Sequence, residues 1–284
     1  MGHHPELTAS KQAASRHAYV TLVTNGDYVK GALALVRSIV LTGTDADIVV
    51  LHTGAVSGED LLEVSDLGAR LIKAELLPTS DDFNERHARA RLHSNAPFPK
   101  GRKPAFHTPL DNFVKLRLWQ LEEYERCVFI DADAVVVRNM DRLFGYPQFS
   151  AAPNVYESLS DFHRLNSGVF VAEPSADTFA DMLQRLDQPD MFWRRTDQTF
   201  LQSYFPDWQG LPVFFNMLQY VWFNMPELWD WASVYVVHYQ YEKPWEADNP
   251  RAGELAPLIE LWHAFHSGTG IPEINALENP GKPA

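Results

Sequence analysis

The chain contains one cysteine, Cys127, in 284 residues. A lone thiol closes no internal disulfide and builds no cysteine-cluster metal site. It stands in the apolar run "CVFI", where it reads as an inert core residue, and a reducing cytoplasm is the expected home. Basic residues are scarce beside acidic ones, 24 against 37, giving a net charge of −13. That balance argues against general nucleic-acid or anionic-membrane binding, while leaving room for a local basic site. No apolar run approaches bilayer length, and the opening "MGHHPELTASKQAASRHA" has no apolar signal-peptide segment, so no membrane span is expected. Internal repeats are also missing. What the chain does have is apolar substance: 45 % hydrophobic residues, with 8 Trp and 17 Phe, enough to bury a full core.

Strand and helix patterns alternate through the first third. "AYVTLVT" (18–24) is a buried strand by its β-branched content, and "GDYVKGALALVRSIVLTG" (26–43) follows with helical spacing and a glycine stop. "ADIVVLHT" (46–53) predicts a strand, "SGEDLLEVSDLG" (57–68) a helix and "ARLIKAELL" (69–77) a third strand. Such alternation implies parallel βαβ units with ligands at the carboxyl ends of the strands. Residues 78–107 interrupt the rhythm with Arg86, Arg89, Arg91, Lys100, Arg102 and Lys103. They read as a solvated insertion or as a basic lid over an anionic ligand. A helix over 110–124 leads to the next strand. The aromatic-rich last third reads as core or as sugar-stacking surface. Residues 1–17 are expected to be flexible, 18–268 to form a single α/β domain, and 269–284 to be a loose tail.

One stretch raises a chemical question. "RCVFIDADAVVV" (126–137) ends a hydrophobic strand with Asp131, Ala132 and Asp133. In a strand, this spacing puts both carboxylates on one face, where they repel and are costly to desolvate. A divalent cation is the usual compensation. The other Asp-x-Asp, Asp45-Ala46-Asp47, precedes its strand and reads as turn chemistry. His238, ending "VYVVH", offers a further ligand at a strand exit, or is structural. Two carboxylates and an imidazole suit Mn²⁺ better than Ca²⁺. Lys243, held by Pro244, could supply a cation to a phosphate.

Four motifs in order resemble family 8 glycosyltransferases, the group containing glycogenin and galactinol synthase. They are "YVTLVTNGDYVKGALAL", "FVKLRLWQLEEYERCVFIDADAVVVRNMDRLF", "LNSGVFVAEPS" with "TDQTFL", and "VVHYQYEKPW". The resemblance spans roughly residues 18–245. It implies a GT-A fold, Rossmann-like with a mainly parallel central sheet flanked by helices, that binds a UDP-hexose, glucose or galactose, and Mn²⁺. Asp131, Asp133 and His238 would ligate the metal. Leu22, Thr24, Asn25 and Tyr28 would surround uracil and ribose, and Lys115 would meet the phosphate or sugar side. Asn166, Ser167, Gly168, Asp197 and Gln198 would line the sugar, and Lys243 would hold the departing diphosphate. Retention of configuration, an α-linked product, a small-molecule or glycan acceptor and a possible homodimer are implied with them.

The sequence departs from that pattern at two places. No tyrosine aligns cleanly with the one glycogenin glucosylates, so self-priming is disfavoured. The glycine usual within the His…Lys-Pro-Trp motif is absent, with Tyr241 or Glu242 in its stretch. Among rivals, a sugar-nucleotide pyrophosphorylase needs a glycine-rich, arginine-bearing turn after the first strand, and "TNGDYVKGA" does not supply it. A non-catalytic sugar-nucleotide-binding protein would have little use for Asp131, Asp133, His238 and Lys243 together.

Overall fold

The computed structural model describes residues 16–86, 109–155, 157–191 and 196–281. Its first strands and helices are β1 (His17–Val23), α1 (Asp27–Leu41), β2 (Asp47–His52), α2 (Leu62–Asp66), β3 (Arg70–Lys73) and α3 (Asp81–Arg86). After the segment 87–108 come α4 (Pro109–Phe113), β4 (Arg126–Ile130), β5 (Ala134–Val136), β6 (Ser150–Pro153), β7 (Leu165–Ala172) and α5 (Ala176–Leu186). The last third carries α6 (Asp197–Tyr204), β8 (Gln209–Gly210), β9 (Met217–Leu218), α7 (Val221–Asn224), β10 (Val236–His238) and α8 (Ala256–Ser267). No helix among the described residues is long and apolar enough to cross a membrane.

Seven strands form one sheet in the order β3-β2-β1-β4-β7-β6-β8. The run from β3 to β4 is parallel, and β7 then pairs antiparallel with both β4 and β6. Period-two alternation divides the central strands between two cores. Ala18, Val20 and Leu22 of β1 join Cys127 and Phe129 of β4 in one layer, with Phe113, Trp119 and Phe170. Tyr19 and Val23 join Val128 and Ile130 in the other, against Leu33, Leu35, Val36 and Ile39 of α1. Gly43 ends α1's last turn with a left-handed φ of 72°, which a glycine adopts without steric cost. A small second sheet, β5-β10-β9, lies under a third core that holds the C-terminal tryptophans. Trp229 and Trp231 are each only 3 % exposed and belong to the core, while Phe214, Phe223 and Tyr241 are partly buried against it.

Several local expectations change. The 110–124 helix is one short α-turn that tightens into a 3₁₀ stretch, Val114–Gln120, before the chain enters β4. The 57–68 helix shrinks to Leu62–Asp66. Residues 269–281 are tied down rather than loose: Trp231 Nε1 donates to the Glu278 carbonyl, and its backbone N–H donates to Asn279 Oδ1, each at 3.0 Å. The insertion begins in contact with the core through fully buried Phe83, while 87–107, with most of its basic residues, lies outside the described residues. So do residues 1–15 of the expected flexible N-terminus.

Candidate functional site

Two sheets meet at one turn. β1 and β4 are parallel, and β7 enters antiparallel with Val169 opposite Ile130. The carboxyl end of β4 and the start of β7 therefore share one edge, beside the carboxyl end of β1. The chain leaves β4 at Ile130, turns through residues 131–133 and starts β5, which pairs with β10 so that Ala134 faces His238. Asp131 and Asp133 are thus turn residues, not alternate positions on one strand face. The turn is fixed by backbone bonds: Asp131 N–H donates to the Gly168 carbonyl and Tyr239 N–H to the Asp133 carbonyl, each at 2.8 Å. Asp47 of the second Asp-x-Asp opens β2 rather than standing in the turn before it, and accepts from the Tyr124 hydroxyl at 2.9 Å, a structural use.

Asp131, Asp133 and His238 converge, with one potential ligand atom from each lying within 4.8 Å of the others. His238 Nε2 is 3.3 Å from Asp133 Oδ1 and 4.0 Å from Asp131 Oδ2. Donors sharing one ion with bonds of about 2.1–2.5 Å lie about 3–5 Å apart, so the set fits a divalent cation, and its mixed oxygen and nitrogen character suits a transition ion. Room for the imidazole comes from Gly168. A Cβ there would lie 2.6 Å from His238 Nδ1 and 2.9 Å from Asn166 Oδ1.

Two buried lysines also compensate the carboxylates, a partner the motif alone did not show. Lys115 Nζ is 3.1 Å from Asp131 Oδ1, 2.8 Å from Asp197 Oδ2 and 3.4 Å from the Ser167 carbonyl, so three acceptors meet its three N–H groups. Lys243 Nζ donates to Asp133 and, at 2.7 Å, to the Tyr239 carbonyl. Three acids against two lysines leave a net negative pocket. Burial pushes the Asp131 carboxyl up, against the pull of Lys115, and Asp133 adds to the rise. Burial acts the same way on Asp133, but the buried Lys243 ammonium beside it leads the opposing pull, and that carboxyl is held well below its usual range. Both lysines stay charged, since their acid partners outweigh the cost of burial.

The expected sugar-side residues gather at the start of β7 and of α6. Asp197 accepts from Ser167 Oγ at 2.7 Å and is clasped by Lys115. Gln198 is half-buried, with its Oε1 3.4 Å from the Ser167 N–H. Thr196 caps α6 in a reciprocal box with Thr199, which aims the first turn at this edge. On the β1 side, Leu22 and Thr24 are buried, and Asn25 Oδ1 accepts from the Asp27 and Tyr28 N–H groups to start α1. Tyr28 stands edge-on to Trp245, ring centroids 5.6 Å apart, with Lys243 Nζ 5.8 Å from its ring. Burial raises its hydroxyl pKa to about 12, with a smaller lowering from Lys243.

Some supporting residues escaped the sequence reading. A Cβ on Gly31, inside α1, would meet the Ala132 carbonyl well inside contact distance and Trp245 Cη2 at 3.0 Å, so this glycine lets α1 lie on the aspartate turn. A glycine in mid-helix was the signal. Asn216 lies beside His238, and its signal was a polar residue in the run "VFFNML". Tyr241 takes the left-handed φ of 65°, so it stands in the backbone conformation for which a glycine would be chosen. Glu242 is buried and accepts from the Tyr220 hydroxyl at 2.9 Å.

The family described as "Glycosyl transferase family 8" matches residues 19–249. A putative UDP-glucuronate:xylan alpha-glucuronosyltransferase 5 of Arabidopsis thaliana is 34 % identical over 84 % of this chain and 38 % of its own length. Human glycogenin-1 is 30 % identical over 87 % of this chain and 71 % of its own. The chain thus spans under two fifths of the plant relative. Among solved structures, the galactosyltransferase LgtC with donor and acceptor sugar analogues superposes with a TM-score of 0.59 at 14 % identity, over 90 % of this chain and 98 % of that one. Apo GlyE of Streptococcus pneumoniae superposes with a TM-score of 0.61 over 89 % of this chain and 63 % of its own. The chain belongs to glycosyl transferase family 8 and has the GT-A fold.

Proposed function

We propose that the protein transfers a hexosyl group from a UDP-sugar to an acceptor hydroxyl with retention, giving an α-linked product, and that Asp131, Asp133 and His238 hold Mn²⁺ for this purpose. The observation that carries the reading is the convergence, at one sheet edge, of these three ligands with Lys115, Asp197 and Lys243. Bound there, the ion would supply Lewis-acid stabilisation of charge on the departing diphosphate. Lys243, already oriented beside Asp133, adds a cation for the same charge. Lys115 has its donors met, so it acts by holding Asp131 and Asp197 in place. Tyr28, Leu22, Thr24 and Asn25 receive the nucleoside. Gln198, less enclosed than Asp197, supports the positive character developing at the anomeric carbon, while Asn166 and Ser167 border the sugar. Family membership supports the UDP donor, and the mixed oxygen and nitrogen donor set supports the metal.

Glucose and galactose are the favoured sugars, and the names of the plant relatives add glucuronate to the set to be tried. A self-priming role finds no support at Tyr220, whose side chain is 1 % exposed and whose hydroxyl is bonded to Glu242. The test is UDP release from UDP-glucose, UDP-galactose and UDP-glucuronate, with Mn²⁺ and with EDTA, before any acceptor is added. Slow Mn²⁺-dependent release from one donor is expected. No turnover and no UDP–Mn²⁺ binding would sink the proposal.

A further inference from the structure

His238 is the end of a chain of asparagine side chains that runs away from the carboxylates. Its Nδ1 is 2.8 Å from Asn216 Oδ1. Asn216 Nδ2 is 2.8 Å from Asn166 Oδ1, and Asn166 Nδ2 is 3.0 Å from Asn154 Oδ1. Asn216 is fully buried and His238 is 5 % exposed, so neither can trade these bonds for bulk water. Asn216 closes the 3₁₀ turn Val213–Asn216 just before β9, and β9 pairs parallel with β10, Leu218 opposite His238. The small sheet therefore sets the two side chains together.

The direction of every bond in this chain follows from one backbone group. Gly168 N–H lies 2.9 Å from the Asn166 side chain, and a backbone N–H can only donate. The Asn166 atom facing it is therefore the amide oxygen. Asn216 approaches that same oxygen, so it must present its NH₂. Its own oxygen is then turned to His238, and an amide oxygen only accepts. The proton of His238 consequently resides on Nδ1, and a neutral ring leaves a bare lone pair on Nε2.

That lone pair points at Asp133 Oδ1 and Asp131 Oδ2, 3.3 and 4.0 Å away. We infer that the Asn154–Asn166–Asn216 relay fixes the tautomer of His238, keeping Nε2 open as a metal ligand. The inference rests on the metal reading of the site proposed above. Without the relay, the ring could place its proton on Nε2, donate to Asp133 and close the site with its own hydrogen bond. Asn216 is a positioning residue that prevents this self-blocked state.

The test reads the proton position directly. Long-range ¹H–¹⁵N correlation spectra of the metal-free protein, at alkaline pH where histidine is neutral, distinguish the two tautomers of an assigned imidazole. The wild type is expected to show the Nδ1-protonated form. Mn²⁺ titration is then compared across the wild type, Asn216→Leu and Asn216→Asp. Asn216→Leu, which removes both relay bonds at similar size, is expected to lose affinity by about 10–100-fold, as loss of an outer partner of a metal-bound histidine does. Asn216→Asp keeps an acceptor on Nδ1 while setting a carboxylate oxygen against the Asn166 oxygen, so it is expected to keep the Nδ1-protonated form in the same spectra and to bind Mn²⁺ more tightly than Asn216→Leu. Any other proton pattern in the wild type overturns the inference, with no variant needed. So does an Asn216→Leu protein that binds Mn²⁺ as the wild type does. Failure of the wild type to bind Mn²⁺ while showing the Nδ1 proton would instead overturn the metal reading and the purpose given to the relay, the spectrum still reporting the tautomer.

Discussion

Replacing Gly168 by alanine tests the geometry of the site with a single methyl group. The new Cβ would stand 2.6 Å from His238 Nδ1 and 2.9 Å from Asn166 Oδ1, where ordinary contact begins at 3.4 Å. The backbone cannot retreat, since Gly168 N–H is bonded to Asn166 Oδ1 and its carbonyl to Asp131 N–H. His238 Cε1 lies nearer still, so the imidazole must give way by more than about 0.8 Å, several times the ~0.2 Å tolerance of a metal–ligand bond. Overpacking of this kind costs about 1–3 kcal/mol of stability. Mn²⁺ affinity should fall by at least about 10–100-fold, the loss typical when only the outer partners that orient a metal-bound histidine are removed. Thermal melting and calorimetric Mn²⁺ titration read the two effects separately. A Gly168→Ala protein that keeps wild-type Mn²⁺ affinity would refute the assignment of His238 as a ligand.

Other outcomes follow from neighbouring contacts. Gly31→Ala, which in an exposed helix interior would stabilise by about 1 kcal/mol, should instead destabilise, because the methyl strikes the Ala132 carbonyl; a raised melting temperature would contradict the packing. Lys243→Ala leaves Asp133 buried without its ammonium partner, at a cost on the order of 3–5 kcal/mol, and kcat should drop more than KM rises; an effect confined to KM would remove Lys243 from the leaving-group side. Tyr220→Phe strands the Glu242 carboxylate and should cost about 1.5–3 kcal/mol by denaturant titration, with Mn²⁺ binding unchanged. Cys127 is fully buried, and burial pushes its thiol well above the usual range, so thiol reagents should label it only on unfolding; prompt labelling of the native protein would be inconsistent with its place in β4.

The sheet was legible because its first strands carry their burial in local pattern, as the alternation of Ala18, Val20 and Leu22 with Tyr19 and Val23 shows. The Asp pair and His238 were legible as strand-exit residues, and they do converge. What compensates the pair was only partly legible. Asp131 and Asp133 stand in a turn, and part of their repulsion is answered by Lys115 and Lys243, residues 16 and 110 positions away from their partners. Local spacing cannot show which distant cation a buried acid will meet. The same limit hid Gly31 and Asn216, whose significance lies in what touches them across the fold. The aromatic last third was ambiguous because a tryptophan that fills a core and one that stacks on a sugar are the same residue until burial is known.

The pairing of β5 with β10 sets residues 134–136 against residues 236–238, a separation of about a hundred positions. Loop closure over such a span is entropically costly and slow compared with the local hydrogen bonding of a helix. As the chain emerges during synthesis, the parallel strands of the first half and the aspartate turn are made before the strand that bears His238. The candidate site can therefore be complete only once β10 has docked, and a chain that has not yet docked its final third lacks one of the three candidate ligands. Convergence of the three-residue cluster is in this way coupled to completion of the fold.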